Sequence, residues 1–463
     1  MVRDAAAAAI ACGHFQQAVE WLEQGRSVIW NQLLSLRTPL DILSNSHPKL
    51  AKQLHSLSFQ LDGSGTCTND LEPIKSGVQQ SLQSIADQAH QNSLDREKLL
   101  KQIRELEGFE RFLLPKTISE LSHAAQQGPV VILNSTSNQC DALILMLGLD
   151  NEVIHIPLTT FKPEEVESLA QSLPTPCGER LWVGTVKPVL EGLAIQYPSE
   201  TNLLHIWWCP TGPLAFFPIH AAGLYGKDDT FGSKLSDYAI SSYTPSLTAL
   251  IEGFRPSAES QKAFQLLAVA QPSASGQPHI PGVKEEIDHI QLLANENFPI
   301  VRLEGHMATV DSVKQGMRDS RWVHFACHGL QDVLHPTESA LLLDGSSRLT
   351  LSDIIQLPLP HAELAFLSAC QTAMGDKPLQ EESVHLAAGM LLAGYRGVIV
   401  TMWTIMDHDA PQVASDVYED LFKTSPPDMT QAAKALHLAV QKLRKGPGKK
   451  SFFHWVPFIH VGI

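Results

Sequence analysis

A histidine and a cysteine stand at the ends of two apolar segments in the second half of the chain. The first segment, residues 323–329, reads VHFACHG and carries His328; the second, residues 365–372, reads AFLSACQT and carries Cys370. Functional groups in open α/β sheets gather beyond the carboxyl ends of the strands. The pattern predicts that the two side chains meet there, with a thiolate as nucleophile and an imidazole as general base and acid.

Gly329, directly after the histidine, has a separate use in this chemistry. Because glycine has no side chain, its backbone N–H can approach a substrate carbonyl closely. Together with the N–H of Cys370 it would form an oxyanion hole, which stabilises the negative oxygen of a tetrahedral intermediate. The combination predicts attack of Cys370 on a peptide carbonyl and protonation of the leaving amine by His328.

Three motifs of the second half, HFACHG at 324–329, LSACQTA at 367–373 and VIVTMW at 398–403, resemble the CHAT domain. The resemblance extends to WWCPTGPL at 207–214 and FHWVPF at 453–458, and so covers roughly residues 128 to 463. It implies a caspase- and separase-like cysteine endopeptidase of clan CD, placed after tetratricopeptide repeats. It also implies a protein substrate and, through the helical N-terminus, an activating protein partner.

The segment after the following strand bears on substrate preference. Separases, which prefer arginine before the scissile bond, carry Trp-x-x-x-Asp here, and this chain has WTIMD at 403–407. The resemblance therefore implies that Asp407 is the floor of the S1 pocket and that Arg or Lys is preferred at P1. The Trp403 ring either forms a wall of this pocket or simply packs against its neighbours. A carboxylate and a guanidinium form a strong bidentate pair. The alternative is that Asp407 and Asp409 cap the next helix, Asp409 being the better cap.

Other polar residues near the motifs are expected to support the site. His324 precedes His328 by four residues on the same strand face, so it is expected to pack beneath the site. Asp332 and His335, on the loop that follows, are candidates to orient His328, unless a backbone carbonyl does so. Cys327 alternates to the other strand face and is expected in the core.

Strand and helix patterns alternate from about residue 128 onward and predict a mostly parallel sheet flanked by helices, in two related halves. Among the helices, Asp141–Leu147 is predicted from its leucine and alanine content. The predicted domains are a tetratricopeptide-like helical tail at 1–60, a loop and connecting helix at 61–127, a caspase-like half without the dyad at 128–262, and the catalytic half at 263–463. Within the tail, helices are predicted at Ala5–Ala11, Phe15–Gln24 and Val28–Leu36.

Composition excludes several classes of protein. The 463 residues are 44% hydrophobic and 18% charged, enough for a sizeable core, and the formal net charge of −15 disfavours nucleic acid and anionic membranes as partners. Seven scattered cysteines without C-x-x-C spacing argue against disulfides and structural zinc. We expect no metal and no cofactor. Without a secretory signal or a membrane-length apolar stretch, a cytoplasmic location is expected.

Two other classes of function remain open. One is a regulatory or scaffold protein of tetratricopeptide-CHAT architecture whose proteolytic activity is absent or incidental, since stacked helical hairpins present binding faces. The other is an α/β enzyme acting on a small molecule, such as a thiol acyltransferase. The sequence contains no G-x-G-x-x-G, Walker or G-x-S-x-G motif, which disfavours nucleotide binding and serine hydrolysis.

Overall fold

A computed structural model describes most of the chain as two compact units. The sheet unit combines Met1–Ser27 with Thr117–Ile463, and the helical unit is Val28–Lys116. The described residues are 1–26, 43–44, 46–65, 82–149, 151–172, 177–197, 203–226, 229–255, 262–295, 297–330, 332, 336–357, 359–371, 385–446 and 451–463.

Thirteen strands of the described residues form a single sheet. They are β1 (Val130–Ser135), β2 (Cys140–Leu145), β3 (Ile154–Pro157), β4 (Leu204–Pro210), β5 (Ala239–Tyr243), β6 (Leu266–Ala270), β7 (Ile300–Glu304), β8 (Trp322–Leu330), β9 (Ala340–Leu342), β10 (Arg348–Thr350), β11 (Leu364–Gln371), β12 (Gly397–Thr401) and β13 (Phe458–Gly462). Across the sheet the order is β7-β6-β8-β11-β12-β13-β5-β4-β1-β2-β3, and the β9–β10 hairpin continues from the end of β8.

Strand β8 pairs in parallel with β6 and β11, and β11 pairs in parallel with β12, whereas the short pairing of β8 with β9 is antiparallel. Most of the strand pairs described are parallel. Strands β6 and β12 are buried at every position, as expected where helices cover both faces. The two α/β series predicted from the sequence join in one continuous sheet, because β13 pairs with β5 at Val461 and Tyr243. The predicted fold class, a large and mainly parallel sheet flanked by helices, is confirmed.

The helices expected at Ala5–Ala11 and Phe15–Gln24 are present among the sixteen α-helices that the structure describes. In chain order they are α1 (Val2–Ala11), α2 (Phe15–Arg26), α3 (Pro48–Gly65), α4 (Leu82–Arg104), α5 (Ile118–Leu121), α6 (Pro163–Ser172), α7 (Gly178–Leu181), α8 (Lys187–Gly192), α9 (Leu247–Phe254), α10 (Gly282–Ala294), α11 (Val310–Asp319), α12 (Leu351–Ile355), α13 (His385–Ala393), α14 (Ala410–Leu421), α15 (Ala432–Lys445) and α16 (Phe452–Trp455).

The helix predicted at Asp141–Leu147 is wrong, because this segment belongs to β2. It pairs antiparallel with β1, from Val130 opposite Leu145 to Ser135 opposite Cys140, and all six of its residues are buried. Burial against a neighbouring strand outweighs the modest helix propensity of alanine and leucine. The helix predicted at Val28–Leu36 lies outside the described residues.

Helices α1 and α2 form the predicted hairpin, which packs within the sheet unit. Gly13 lies between them with φ +79°, a conformation that glycine adopts readily. The Arg3 guanidinium donates to the Ser135 carbonyl at 3.0 Å, and the Glu23 carboxylate accepts the N–H of Leu247 at 2.9 Å, at the start of α9. The likeness of the hairpin to a tetratricopeptide repeat, and the predicted domain boundaries, stay predictions.

The helical unit has its own small apolar core. Helices α3 and α4 pack against each other through residues such as Leu54, Leu100 and Ile103, and two phenylalanines, Phe109 and Phe112, close the core. The connecting helix expected within residues 61–127 corresponds to α4, at Leu82–Arg104. Within the described residues, no helix has both the length and the apolar character that a membrane span needs.

Four histidines of the sheet unit, of which His460 is buried and the other three are partly buried, predict that the fold loses stability in acid. Burial lowers the pKa of His460 to about 3 and that of His220 and His437 to about 4. Burial, together with positive charge on His460 and His437, lowers the pKa of His205 to about 3. Ser242 bridges His205 and His460, with its hydroxyl 2.7 Å from a ring nitrogen of each. These rings are neutral in the folded chain, whereas the unfolded chain takes up protons below about pH 6.5.

The stability that these four neutral histidines give the fold is therefore complete above about pH 6.5. It is lost as the pH falls to about 4 for His220 and His437, and to about 3 for His205 and His460. Each such histidine costs up to about 1.4 kcal/mol per pH unit in this range. We expect urea denaturation to report several kcal/mol less stability at pH 5 than at pH 7, and His437→Gln to reduce that difference. Equal stability at the two pH values would contradict the prediction.

Candidate active site

Strands β8 and β11 bring the two predicted catalytic residues to neighbouring positions. They pair in parallel without interruption, from Leu364 opposite Trp322 to Gln371 opposite Gly329, and in this register Cys370 stands opposite His328. Paired strands lie about 4.8 Å apart. The structure describes the backbone of Cys370 but not its side chain, whereas the His328 side chain is described and buried. The expected meeting at the carboxyl ends of two strands is thus present at the level of the backbone.

His328 is oriented by a backbone carbonyl. Its Nε2 lies 2.7 Å from the carbonyl oxygen of Pro278, in the loop between β6 and α10. A carbonyl can only accept, so Nε2 carries the proton and donates, and in the neutral ring Nδ1 then holds the lone pair. Two side chains were candidates from the sequence to orient His328. His335 lies outside the described residues, and the backbone N–H of Asp332 donates to the Ser339 hydroxyl at 3.0 Å. The sequence contains no signal that marks the Pro278 carbonyl.

A buried polar cluster lies beneath the ends of both strands. It consists of Glu286 on α10, His324 on β8, Ser368 on β11 and Tyr418 on α14. The Ser368 hydroxyl donates to Glu286 Oε2 at 3.0 Å, and Glu286 Oε1 lies 3.0 Å from His324 Nε2. The latter contact does not have the geometry of a hydrogen bond.

The same cluster extends to α14. His324 Nδ1 lies 3.3 Å from the Tyr418 hydroxyl, and burial together with the negative charge of Glu286 raises the tyrosine pKa well above 10. His324 is fully buried, as predicted from its place on the strand, but sequence reasoning missed Glu286 and Tyr418. A lone glutamate at an apolar position of an amphipathic helix was the only available signal for the first. The cluster joins α10 and α14 to the two strands that carry His328 and Cys370.

Asp407, predicted in the S1 pocket, also caps a helix. Its Oδ2 accepts the N–H of Gly282 at 3.0 Å, which satisfies a free donor at the start of α10. A side chain at Gly282 would clash, since a Cβ there would lie 2.7 Å from the Asp407 carbonyl oxygen. Asp407 therefore caps α10, whereas the alternative from the sequence was a cap on α14, the helix that follows it in the chain. Trp403 packs partly buried against the core, and its indole N–H has no hydrogen-bond partner among the described residues.

A five-residue segment connects His328 with Asp407, the residue predicted for the S1 pocket. Residues 278–282 hold His328 at one end, through the Pro278 carbonyl, and Asp407 at the other, through the Gly282 N–H. A stretch of this length spans at most about 14 Å. With the two hydrogen bonds added, the imidazole and the carboxylate lie within about 20 Å of each other, a span that the main chain and one long side chain of a substrate can cover.

Asp409 is the N-cap residue of α14 by position, as predicted, but its side chain makes no capping hydrogen bond. Instead its Oδ2 lies 2.6 Å from Nδ1 of His454 on α16. The expectation that Asp409 caps by its carboxylate is therefore wrong. Pro411, in the first turn, has no N–H to offer, and the carboxylate turns toward the histidine.

These features define a mixed α/β protein with a histidine and a cysteine in register on adjacent parallel strands. The chain belongs to the CHAT domain family, whose model matches residues 175–463, more than half of its length. Among curated proteins, no sequence matches this chain.

The solved structures to which this chain is similar share little sequence with it. The Arg-specific cysteine proteinase gingipain R (RgpB) is 14% identical with a TM-score of 0.41, over 63% of this chain and 69% of its own. A complex of the pro- and mature domains of Porphyromonas gingivalis RgpB is 13% identical with a TM-score of 0.38, over 63% and 70%. The separase–securin complex of Saccharomyces cerevisiae is 12% identical with a TM-score of 0.40, over 90% of this chain and 27% of the separase chain.

Proposed function

We propose that this CHAT protein is a cysteine endopeptidase that hydrolyses peptide bonds of a protein substrate through Cys370 and His328. The observation that carries the proposal is the register of β8 and β11, which sets Cys370 opposite His328. The Pro278 carbonyl adds support, because it fixes the tautomer in which Nδ1 can accept a proton. No cofactor enters the reaction.

In the proposed mechanism, Nδ1 of His328 accepts the thiol proton as Cys370 attacks the scissile carbonyl. The hydrogen bond from Nε2 to Pro278 stabilises the imidazolium that forms, and the N–H groups of Gly329 and Cys370 hold the oxyanion. The imidazolium then protonates the leaving amine, which leaves a thioester on Cys370. Water, deprotonated by the neutral His328, hydrolyses the thioester and restores the thiol.

The peptidase activity is tested by incubating the full chain with a peptide library at neutral pH, before and after thiol alkylation. The expected result is cleavage that alkylation abolishes. Because Cys12 is exposed and Cys67 lies in a polar stretch of sequence, the variant Cys12→Ser/Cys67→Ser serves as the background, so that alkylation reports on the remaining thiols. A chain that cleaves nothing, with an unreactive Cys370, would support the scaffold hypothesis instead.

The proposal includes a basic P1 residue bound by Asp407. One N–H occupies one oxygen of this partly exposed carboxylate, which can accept several hydrogen bonds in all. The buried indole N–H of Trp403, four residues earlier in the chain, has no hydrogen-bond partner among the described residues. Both residues follow β12, the neighbour of the strand that carries Cys370.

Asp407→Asn is expected to lower kcat/KM for Arg and Lys at P1 by at least about 100-fold, because the amide keeps the cap on α10 but loses the charge. Substrates with uncharged P1 residues should change by less than tenfold. Asp311→Asn, on an exposed part of α11, is the matched control. Equal losses for basic and uncharged P1 residues would refute the S1 assignment while leaving the dyad untested by this variant.

Regulation by a protein partner through the helical N-terminus completes the proposal. The hairpin of α1 and α2 contacts the sheet at Ser135 and the start of α9 at Leu247, so a partner bound to it would have a physical path to the sheet. Adding candidate partners to the cleavage assay tests this: the rate should change for the intact chain and not for Arg3→Ala/Glu23→Ala.

A further inference from the structure

Three side chains able to bind a metal meet next to the segment between β12 and α14. His408 and Asp409 end this segment, and His454 comes from α16 near the C-terminus. Asp409 Oδ2 lies 2.6 Å from His454 Nδ1, and Asp409 Oδ1 lies 3.4 Å from His408 Nε2. One donor atom from each of the three residues lies within 4.8 Å of the others.

The direction of the Asp409 carboxylate is the second observation. Asp409 is fully buried at an N-cap position, where an aspartate normally accepts from the first turn of its own helix. It makes no such bond to α14, and its two oxygens face two different imidazoles. The carboxylate is thus directed at the two imidazoles and not at its own helix, as a ligand of a shared cation would be.

We propose that His408, Asp409 and His454 form a zinc site. Ligand atoms of a tetrahedral zinc ion, about 2.0–2.2 Å from the metal, lie roughly 3.4 Å apart. The Asp409–His408 separation has this value, and the Asp409–His454 separation must widen by less than about 1 Å, which a small rotation of the His454 ring provides. Two imidazoles and one carboxylate suit zinc, whereas calcium and magnesium prefer oxygen ligands.

The three proposed ligands differ in how far their side chains are exposed to solvent, and this leaves one open side from which a metal ion can enter. The side chain of Asp409 is 0% exposed, that of His454 16% and that of His408 63%. A metal can therefore arrive from the side of His408 and keep a water molecule as its fourth ligand. Sequence reasoning predicted no metal because the third ligand lies 45 residues from the second, which matches no recognised spacing.

A bound zinc ion would connect the segment that carries Trp403 and Asp407 to the C-terminal helix α16. The inference does not depend on peptidase activity, since the three ligands are separate from His328 and Cys370. Its consequence for the proteolytic reaction would be a stiffer segment after β12.

The test is a titration of the full chain with Zn²⁺ and, for spectroscopy, Co²⁺. It is done in the Cys370→Ala variant, so that the proposed active-site thiol cannot compete for metal. One equivalent is expected to bind. Loss of a residue that only supports a metal ligand lowers metal affinity by about 10–100-fold. His408→Ala and His454→Ala should each lower the Zn²⁺ affinity by more than this. His289→Ala, another exposed histidine near a carboxylate, is the matched control and should bind normally.

Several outcomes would overturn the site. The chain could bind no Zn²⁺, or His408→Ala and His454→Ala could both retain the affinity of the control. Sulfur-to-cobalt charge-transfer absorption would place the metal on a cysteine instead. Because His408 is largely exposed, its replacement tests binding without risk to the fold, and thermal unfolding of each variant verifies this. Failure of metal binding would leave the peptidase proposal unchanged, since cleavage is measured separately.

Discussion

Cys370→Ala is expected to lower kcat/KM for peptide cleavage by at least about 10⁴-fold, because the variant retains substrate binding but has no nucleophile. His328→Ala should lower it by a similar factor, and the double variant should be little worse than either single variant. The reason is that the cysteine and the histidine lower the same activation barrier together, so removing either one already removes their joint effect on the rate. The measurement is the rate of cleavage of the best library peptide by each purified variant.

Two other cysteines provide controls for this loss. Cys12→Ser changes an exposed thiol after α1 and should leave the rate unchanged. Cys177 is buried, and burial raises its pKa to about 12, so its thiol stays protonated at neutral pH and cannot replace the nucleophile. Full activity of Cys370→Ala, or loss of activity in Cys12→Ser alone, would show that the nucleophile has been misassigned.

Glu286→Ala is expected to destabilise the sheet unit by about 1–3 kcal/mol, the usual cost of leaving a buried polar group without its partner. The change leaves the buried His324 ring facing a cavity in place of the carboxylate. It also removes the carboxylate oxygen that accepts the Ser368 hydroxyl at 3.0 Å. Since Ser368 lies two residues before Cys370 on β11, cleavage should fall as well. Glu286→Gln, which keeps the shape, should cost less.

The neighbouring Glu285→Ala is the matched control. Glu285 lies on the same turn of α10 with its side chain 65% exposed, so its removal should change stability by less than about 0.5 kcal/mol. Chemical denaturation followed by tryptophan fluorescence is suitable, because seven of the eight tryptophans lie in the sheet unit. Equal stability of the two alanine variants would mean that the buried cluster does not hold α10 to the strands.

The sequence alone determined the elements and the candidate dyad. Runs such as 266–270 and 398–400 are apolar at every position, and this pattern is characteristic of strands covered on both faces. The hairpin around Gly13 follows from local periodicity and backbone freedom. His328 and Cys370 are recognisable because each stands beside an apolar strand, and parallel strands end at the same edge of a sheet. All of these signals act over a few neighbouring residues.

The tertiary structure decided what surrounds those residues. The Pro278 carbonyl, Glu286 and the N–H of Gly282 reach His328, Ser368 and Asp407 across 50, 82 and 125 positions of the chain. It also decided that residues 140–145 form a strand, since pairing with β1 buries every one of them. A single sequence carries no periodicity or spacing for such contacts, because they depend on how separate strands and helices pack after they have formed.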